Sequence, residues 1–381
     1  MMSERIVIVQ RRMTHYRVPL FVALRQRLAA HGLELRVAVG AASAQEQHKG
    51  DTGELAGAWS VPTRYALADR ICWLSLAPAL QGAQWVVLPQ ELGQLANLPL
   101  LLAPQPFRVA LWGHGANHQA RGWQQPAQRM KRLLTAQADW CFAYTESSAR
   151  LMRCDVPVER VTVLNNAIDT NGLQLDIQTQ RALPRDALRG SLGVGSGPLA
   201  LFIGSLYADK RLDLLIDAAE RMRARLPDFE LAICGAGVLA PWLAQRTASL
   251  PWIHRPGRVS DQHKARWLAV ADVMLNPGVV GLCMLDAFAA ALPLITSDCG
   301  LHPPEIDYLR VGHNGLMPAA NPEAVAAAGV AVLSDAVLAN RLRSGAMESA
   351  RLYTLPAMVD HFTHGLLAWR ASTPRRGTVP A

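Results

Sequence analysis

No apolar run in the 381-residue sequence reaches the ~18–20 residues that a membrane-spanning helix needs. The nearest, Leu98 to Trp112, is broken by Pro99, Pro104, Pro106 and Arg108 and reads as elements of a soluble core. Cysteine is sparse. Cys72, Cys141, Cys154, Cys234, Cys283 and Cys299 form no Cys-x-x-Cys pair, which argues against a disulfide framework or a zinc site and fits buried thiols of a reducing compartment. Met1 to Gln10 holds only a short apolar run, Ile6 to Val9, and reads as a buried strand rather than a secretion signal. There is no Asp-x-Asp pair, so no metal site is expected, and no nucleic-acid-binding motif. The expected location is the cytoplasm.

Charge is scarce but lopsided. Only 18% of residues are charged, with a net of +8. Arg11, Arg12, Arg17, Arg25, Arg27 and Arg36 crowd the amino end, and Arg121, Arg129, Lys131 and Arg132 form a second basic cluster. Such patches draw nucleic acid, anionic lipid or phosphorylated substrates, and charge alone does not choose among them. A helix over 125–138 sets Met130, Leu133 and Leu134 beside those cations, a pattern that suits contact with an anionic membrane surface. Peripheral attachment at the inner face of the membrane follows as an expectation.

The length predicts two domains. Apolar, β-branched segments (Arg5–Val9, Glu34–Val39, Gln84–Leu88, Phe107–Trp112, Trp140–Tyr144, Val161–Leu164) alternate with helical spacings such as Pro19–Ala30. Such a rhythm gives an α/β fold with a doubly wound parallel sheet. It lapses over 171–198, expected to be a linker, and restarts with Leu199–Ile203, Glu230–Cys234, Trp252–Arg255, Asp272–Asn276 and Leu292–Thr296. The expected division is therefore 1–170, the linker, 199–355, and a helix with a frayed tail over 356–381. In such sheets ligands bind beyond the carboxyl ends of strands, so residues just after strands carry the chemistry.

The most informative stretch is Ala271 to Asp298. A buried strand leads into a Pro-Gly loop and a helix beginning near Leu282. Backbone N–H groups of Gly281, Leu282 and Cys283 would cradle a diphosphate there, and Asp286, one turn on, would accept ribose hydroxyls. The segment resembles the family 4 retaining glycosyltransferases of the GT-B fold, whose pattern is Pro-Ser-x-x-Glu-Gly-Phe-Gly-Leu-x-x-x-Glu-Ala followed by Gly-x-Pro-Val-Ile-x-Ser-Asp. Pro277, Gly281, Leu282, Ala287, Pro293, Ile295, Ser297 and Asp298 match it. Pro304-Glu305-Ile306 and Asn314-Gly315-Leu316 are similar to its closing motifs. Of the family's two glutamates, the second is Asp286 and the first, which contacts the donor sugar, is Gly278.

The resemblance implies two Rossmann-like domains facing a central cleft, and a nucleoside-diphosphate sugar as substrate with no cofactor. It also implies a hexosyl transfer that needs no metal and keeps the anomeric configuration. Gly204 and Lys210 resemble the family's loop that neutralises the diphosphate, with Ser205 where arginine is usual and Arg211 a candidate to compensate. Gly235-Ala236-Gly237 and Gly257-Arg258-Val259 are similar to loops that approach the nucleotide and hold its base. Gly113-His114 follows a central strand of the first half and would line the sugar. Arg17 stands where the family has an early Gly-Gly loop, and would meet the acceptor, a glycan or lipid-linked glycan. Two alternatives stay open. Gly235-x-Gly237 is also a dinucleotide fingerprint, so an NADP-dependent oxidoreductase competes. Gly278 and Ser205 leave room for an inactive nucleotide-sugar-binding protein.

Overall fold

The computed structural model describes residues 4–47, 50–115 and 126–374. Arg121 and Gln125 of the second basic segment, and residues 375–381 of the expected tail, lie outside them. The chain forms two compact units, one of Met1–Ile168 with Leu355–Ala381, the other of Asp169–Thr354.

The first unit contains β1 (Glu4–Gln10), β2 (Leu33–Gly40), β3 (Trp59–Val61), the antiparallel hairpin β4 (Thr63–Ala66) and β5 (Ile71–Leu74), then β6 (Trp85–Pro89), β7 (Arg108–Gly113), β8 (Trp140–Ala143) and β9 (Val161–Val163). Its main sheet is parallel throughout, in the order β3-β2-β1-β6-β7-β8-β9. Burial explains the sequence pattern. Ile6 to Val9 and all of β7 are buried, as strands covered on both faces must be. Three short strands, β3 to β5, escape a reading based on apolar runs because half or more of their residues in each of β3 and β4 are exposed or half-buried.

The helix Leu355–Ala371 belongs to this first unit. Its Phe362 packs on Trp112 and Phe142, and Arg108 donates to the carbonyls of Trp369 (2.8 Å) and Ser372 (2.9 Å). The expected boundary near 355 is thus a return of the chain to where it began.

The second unit holds β10 (Leu199–Ile203), β11 (Glu230–Cys234), β12 (Ile253–Gly257), β13 (Val273–Leu275), β14 (Leu294–Ile295) and β15 (Gly315–Leu316). They form a parallel sheet in the order β12-β11-β10-β13-β14-β15. The expectation of a linker over 171–198 is corrected. Asn171–Arg181 and Arg185–Ser191 are helices of this unit. Leu173 and Ile177, one helical turn apart, are buried, as is Leu188. Arg181 donates to the carbonyl of Ala290 (2.6 Å) and Arg189 to that of Val270 (3.3 Å). A polar composition hid a narrow apolar stripe of the kind a surface helix needs.

In each sheet the first strand lies between its second strand and a later one: β1 between β2 and β6, β10 between β11 and β13. These are the switch points where parallel sheets open a crevice at the carboxyl ends.

Candidate active site

At the switch point of the second sheet, the loop after β13 is held almost atom by atom. The Ser297 hydroxyl donates to the carbonyl of Pro277, and the Thr296 hydroxyl to that of Gly278 (3.3 Å). The Lys210 ammonium donates to the carbonyl of Val279 (2.5 Å). The Val279 N–H donates to the carbonyl of Asp209 (2.9 Å), and the Val280 N–H to Nδ1 of His302 (3.2 Å). Because that ring nitrogen accepts, the His302 proton sits on Nε2, which donates to the carbonyl of Ser297 (2.7 Å). Burial holds His302 below the usual imidazole value, against the opposing effect of the Ser297 bond. Asn276 spans the switch point itself, donating to the carbonyl of Ile203 across from β10 (3.2 Å) and to the Cys283 sulfur (3.2 Å).

Lys210 is 7% exposed, and among the described residues no carboxylate pairs with it. One of its three donors is used by Val279 and the ammonium lies 5.6 Å from the Tyr207 ring centroid, so its positive charge stays unneutralised in the turn after β10. Gly278 explains its own identity. A Cβ there would fall 2.3 Å from the carbonyl carbon of Lys210 and 2.4 Å from the carbonyl oxygen of Asp209. No side chain, glutamate included, fits this backbone. Gly281 is different: a Cβ there would meet only the Pro303 ring, at an ordinary contact distance of 3.7 Å, so the chain does not demand glycine at this position. Measured against the family pattern, Pro277 stands three residues closer to Gly281 than the pattern's proline does, so the loop is short.

Asp286, expected to face ribose, is 5% exposed and forms an ion pair with Lys264 (3.2 Å). Lys264 lies on the helix Asp261–Val270, capped by Ser260, and also reaches Asp261 (3.3 Å). Burial pushes the Asp286 carboxyl up, and Lys264 offsets this only in part. Ser205 is exposed and Gly204 half-buried after β10. Arg211, in a left-handed conformation (φ 49), is tied to Asp213 (3.1 Å). Arg258 and Val259 follow β12, the first exposed and the second half-buried.

Gly235 and Gly237 answer to chain packing. A Cβ on Gly235 would lie 1.9 Å from the carbonyl oxygen of Gly204, and one on Gly237 2.4 Å from that of Leu206. Their pattern is therefore accounted for by the loop after β10 lying on the loop after β11.

In the first unit, His114 follows β7 and sets its ring against Tyr144 (4.3 Å between centroids, 66° between planes). Gly113 passes Gln90 so closely that a Cβ would fall 2.5 Å from the Gln90 Cβ. Gln90 in turn accepts from the N–H of Gly115 (2.8 Å) and donates to Thr135 (2.7 Å). Thr145 caps the next helix, Glu146–Met152, as its position predicts. Arg17 is buried against Trp112 and Tyr144. On the helix Pro126–Thr135, Met130 (49%) and Leu133 (61%) are exposed, as are their chain neighbours Arg129 and Arg132. The expected apolar side is corrected: Leu134 turns into the core, and so does Lys131.

Sequence reading missed His302, Lys264 and Asn276 as members of this site. Their signal is weak, since each is one polar residue in a segment without a motif of its own.

Residues 197–335 match the family model for glycosyl transferases group 1. A phosphatidyl-myo-inositol mannosyltransferase of Mycobacterium leprae is 30% identical over 162 residues, 41% of this chain and 43% of that protein. The chain spans about half the length of the curated relatives it matches. Among solved structures, HepE of Anabaena in complex with UDP superposes with a TM-score of 0.69 at 14% identity, over 96% of this chain and 100% of that one. WaaG, a glycosyltransferase involved in lipopolysaccharide biosynthesis, gives 0.62 at 16%, over 95% and 99%. A putative UDP-N-acetylglucosamine 2-epimerase from Listeria monocytogenes gives 0.65 at 12%, over the full length of both. The fold alone therefore does not choose a reaction, whereas the match over 197–335 falls on the buttressed loop. Residues 197–335 of the second unit thus carry the glycosyl transferases group 1 sequence pattern, in a chain whose fold is that of GT-B proteins.

Proposed function

We propose that this protein is a retaining glycosyltransferase that moves a sugar from a UDP- or GDP-linked donor to a glycan or lipid-linked glycan, in surface polysaccharide or lipopolysaccharide assembly. The observation that carries the reading is the loop Pro277–Val280, braced on Lys210 and leading into the next helix. Breaking a glycosidic bond leaves negative charge on the departing diphosphate, and a preorganised cation stabilises that charge most where water is excluded. Lys210 and the N–H groups of Gly281, Leu282 and Cys283 supply this without a metal. His114 lines the sugar. Asp286 acts through Lys264, which it holds in place. That UDP accompanies HepE and that curated relatives are named for inositol-bearing acceptors supports the substrate classes.

The oxidoreductase alternative loses its main support, because Gly235 and Gly237 are accounted for by packing. Thermal unfolding with saturating UDP, GDP, ADP, NAD and NADP in parallel separates the readings. A ligand at ~100 times its dissociation constant adds about 2.7 kcal/mol. Stabilisation by UDP or GDP alone supports the transferase, and hydrolysis or transfer from the matching nucleotide sugar separates it from an inactive binder. Stabilisation by NADP alone overturns it.

The same reading places the helix Pro126–Thr135 on an anionic membrane through Met130 and Leu133. Co-sedimentation with anionic vesicles at low salt should fall when both become serine; no sedimentation of the unaltered protein sinks this part.

A further inference from the structure

Three arginines occupy the turn after β1, and they are held differently. Arg11 is paired with Glu46 and faces Glu91 (3.6 Å). Arg12 grips Asp51 at two points (2.7 and 3.0 Å). Arg17 is 8% exposed, and among the described residues no carboxylate pairs with it. Its Nη1 is buried without a hydrogen-bond partner. The guanidinium instead lies 4.9 Å from the ring centroid of Trp112 and 5.4 Å from that of Tyr144. Thr14, whose carbonyl accepts the Arg17 N–H (3.0 Å), buries its own hydroxyl oxygen unpartnered.

A buried cation loses its hydration, and aromatic faces restore only part of it. The same turn holds two orphaned polar groups, and Tyr144 is shared with His114. Both features mark a site whose polar complement is a ligand. We propose that Arg17, with Thr14, receives a phosphate group carried by the acceptor. This deepens the transferase reading and rests on it for the word acceptor. A guanidinium fork meets two phosphate oxygens at once, and a hydroxyl can donate to a third. Arg11 and Arg12, already neutralised, hold the turn in shape.

The test compares the unaltered protein with Arg17→Met, which keeps the aliphatic stem on Trp112 and Tyr144 but removes the charge. Both are saturated with UDP so that Lys210 is occupied, and unfolding is followed with glycerol 3-phosphate against glycerol. Co-sedimentation with phosphatidylglycerol against phosphatidylcholine vesicles runs in parallel. The variant is expected to unfold at an equal or higher temperature than the parent without phosphate. Glycerol 3-phosphate should raise the parent's Tm by several degrees and leave the variant's unmoved. An Arg17-dependent response confined to phosphatidylglycerol also supports the proposal, and identifies the phosphate as a lipid headgroup. The proposal is overturned if no phosphate probe distinguishes the two proteins, or if Arg17→Met lowers Tm and responds to phosphate like the parent, the behaviour of a purely structural cation–π contact. Absence of any UDP effect would overturn the transferase reading instead, and the phosphate comparison can then be read without UDP.

Discussion

Gly278 lies against the backbone of Lys210 so closely that a Cβ would stand 2.3 Å from the Lys210 carbonyl carbon. The family's glutamate at this position is therefore not merely missing. The loop has taken a path on which no side chain fits, with Val279 bonded to both Asp209 and Lys210.

Restoring the glutamate should accordingly harm the protein. Gly278→Glu forces two backbone segments apart, and overpacking of this kind costs about 1–3 kcal/mol. Thermal unfolding should show the loss, with nucleotide binding weakened rather than improved. A variant as stable as the parent, with higher activity, would mean that the loop moves freely.

Lys210→Met removes the ammonium and leaves the Val279 carbonyl without its donor. The lost bond costs about 1–3 kcal/mol if the carbonyl stays dry. Loss of one preorganised charge-stabilising donor lowers turnover by about 10²–10³. Circular dichroism should remain that of a folded protein while transfer from the nucleotide sugar collapses. Unchanged turnover counts against the proposed chemistry.

The Lys264–Asp286 pair joins a half-buried ammonium to a buried carboxylate. Asp286→Asn leaves Lys264 with the exposed Asp261 as its remaining carboxylate partner. Breaking a fully buried pair from one side costs about 3–5 kcal/mol; with Lys264 half-buried and still facing Asp261, a loss of about 1–3 kcal/mol is expected. Replacing both, as Lys264→Met with Asp286→Leu, should cost less than either single change. A double-mutant cycle in denaturant checks this, and additive losses would show that the two charges do not interact.

Lys131 supplies a pH dependence. Burial pushes its ammonium down to about 8, with Glu91 opposing. Between that value and the ordinary 10.5, the unfolded chain holds a proton that the folded chain has released. Stability therefore rises with pH through this window, and the full penalty applies below it. Lys131→Met should stabilise the protein near neutrality by about 1–3 kcal/mol, an advantage that disappears as pH approaches the upper limit. A Tm difference that is flat with pH would show that Lys131 is solvated.

Much of the architecture was legible because parallel strands covered on both faces must be continuously apolar. Leu199–Ile203 and Glu230–Cys234 match the structure end to end. Helices 171–181 and 185–191 were not legible, since Leu173, Ile177 and Leu188 are few among polar neighbours. The basic residues show the same limit. Arg11, Arg12, Arg17, Lys131 and Arg132 look alike in a sequence, yet two pair with carboxylates after β1, Arg132 pairs with Asp155, Lys131 is buried, and Arg17 lies on aromatic rings.

The sequence by itself determined the α/β class, the strands and the position of the Pro277–Asp286 segment, because apolar runs and turn residues act locally. Only the tertiary structure decided which polar groups meet. His302 lies 22 residues from Val280, Lys264 lies 22 from Asp286, and Lys210 lies 69 from Val279. These contacts join side chains and backbone groups from separate strand–helix units, and chain spacing carries no record of which of them the sheet brings together.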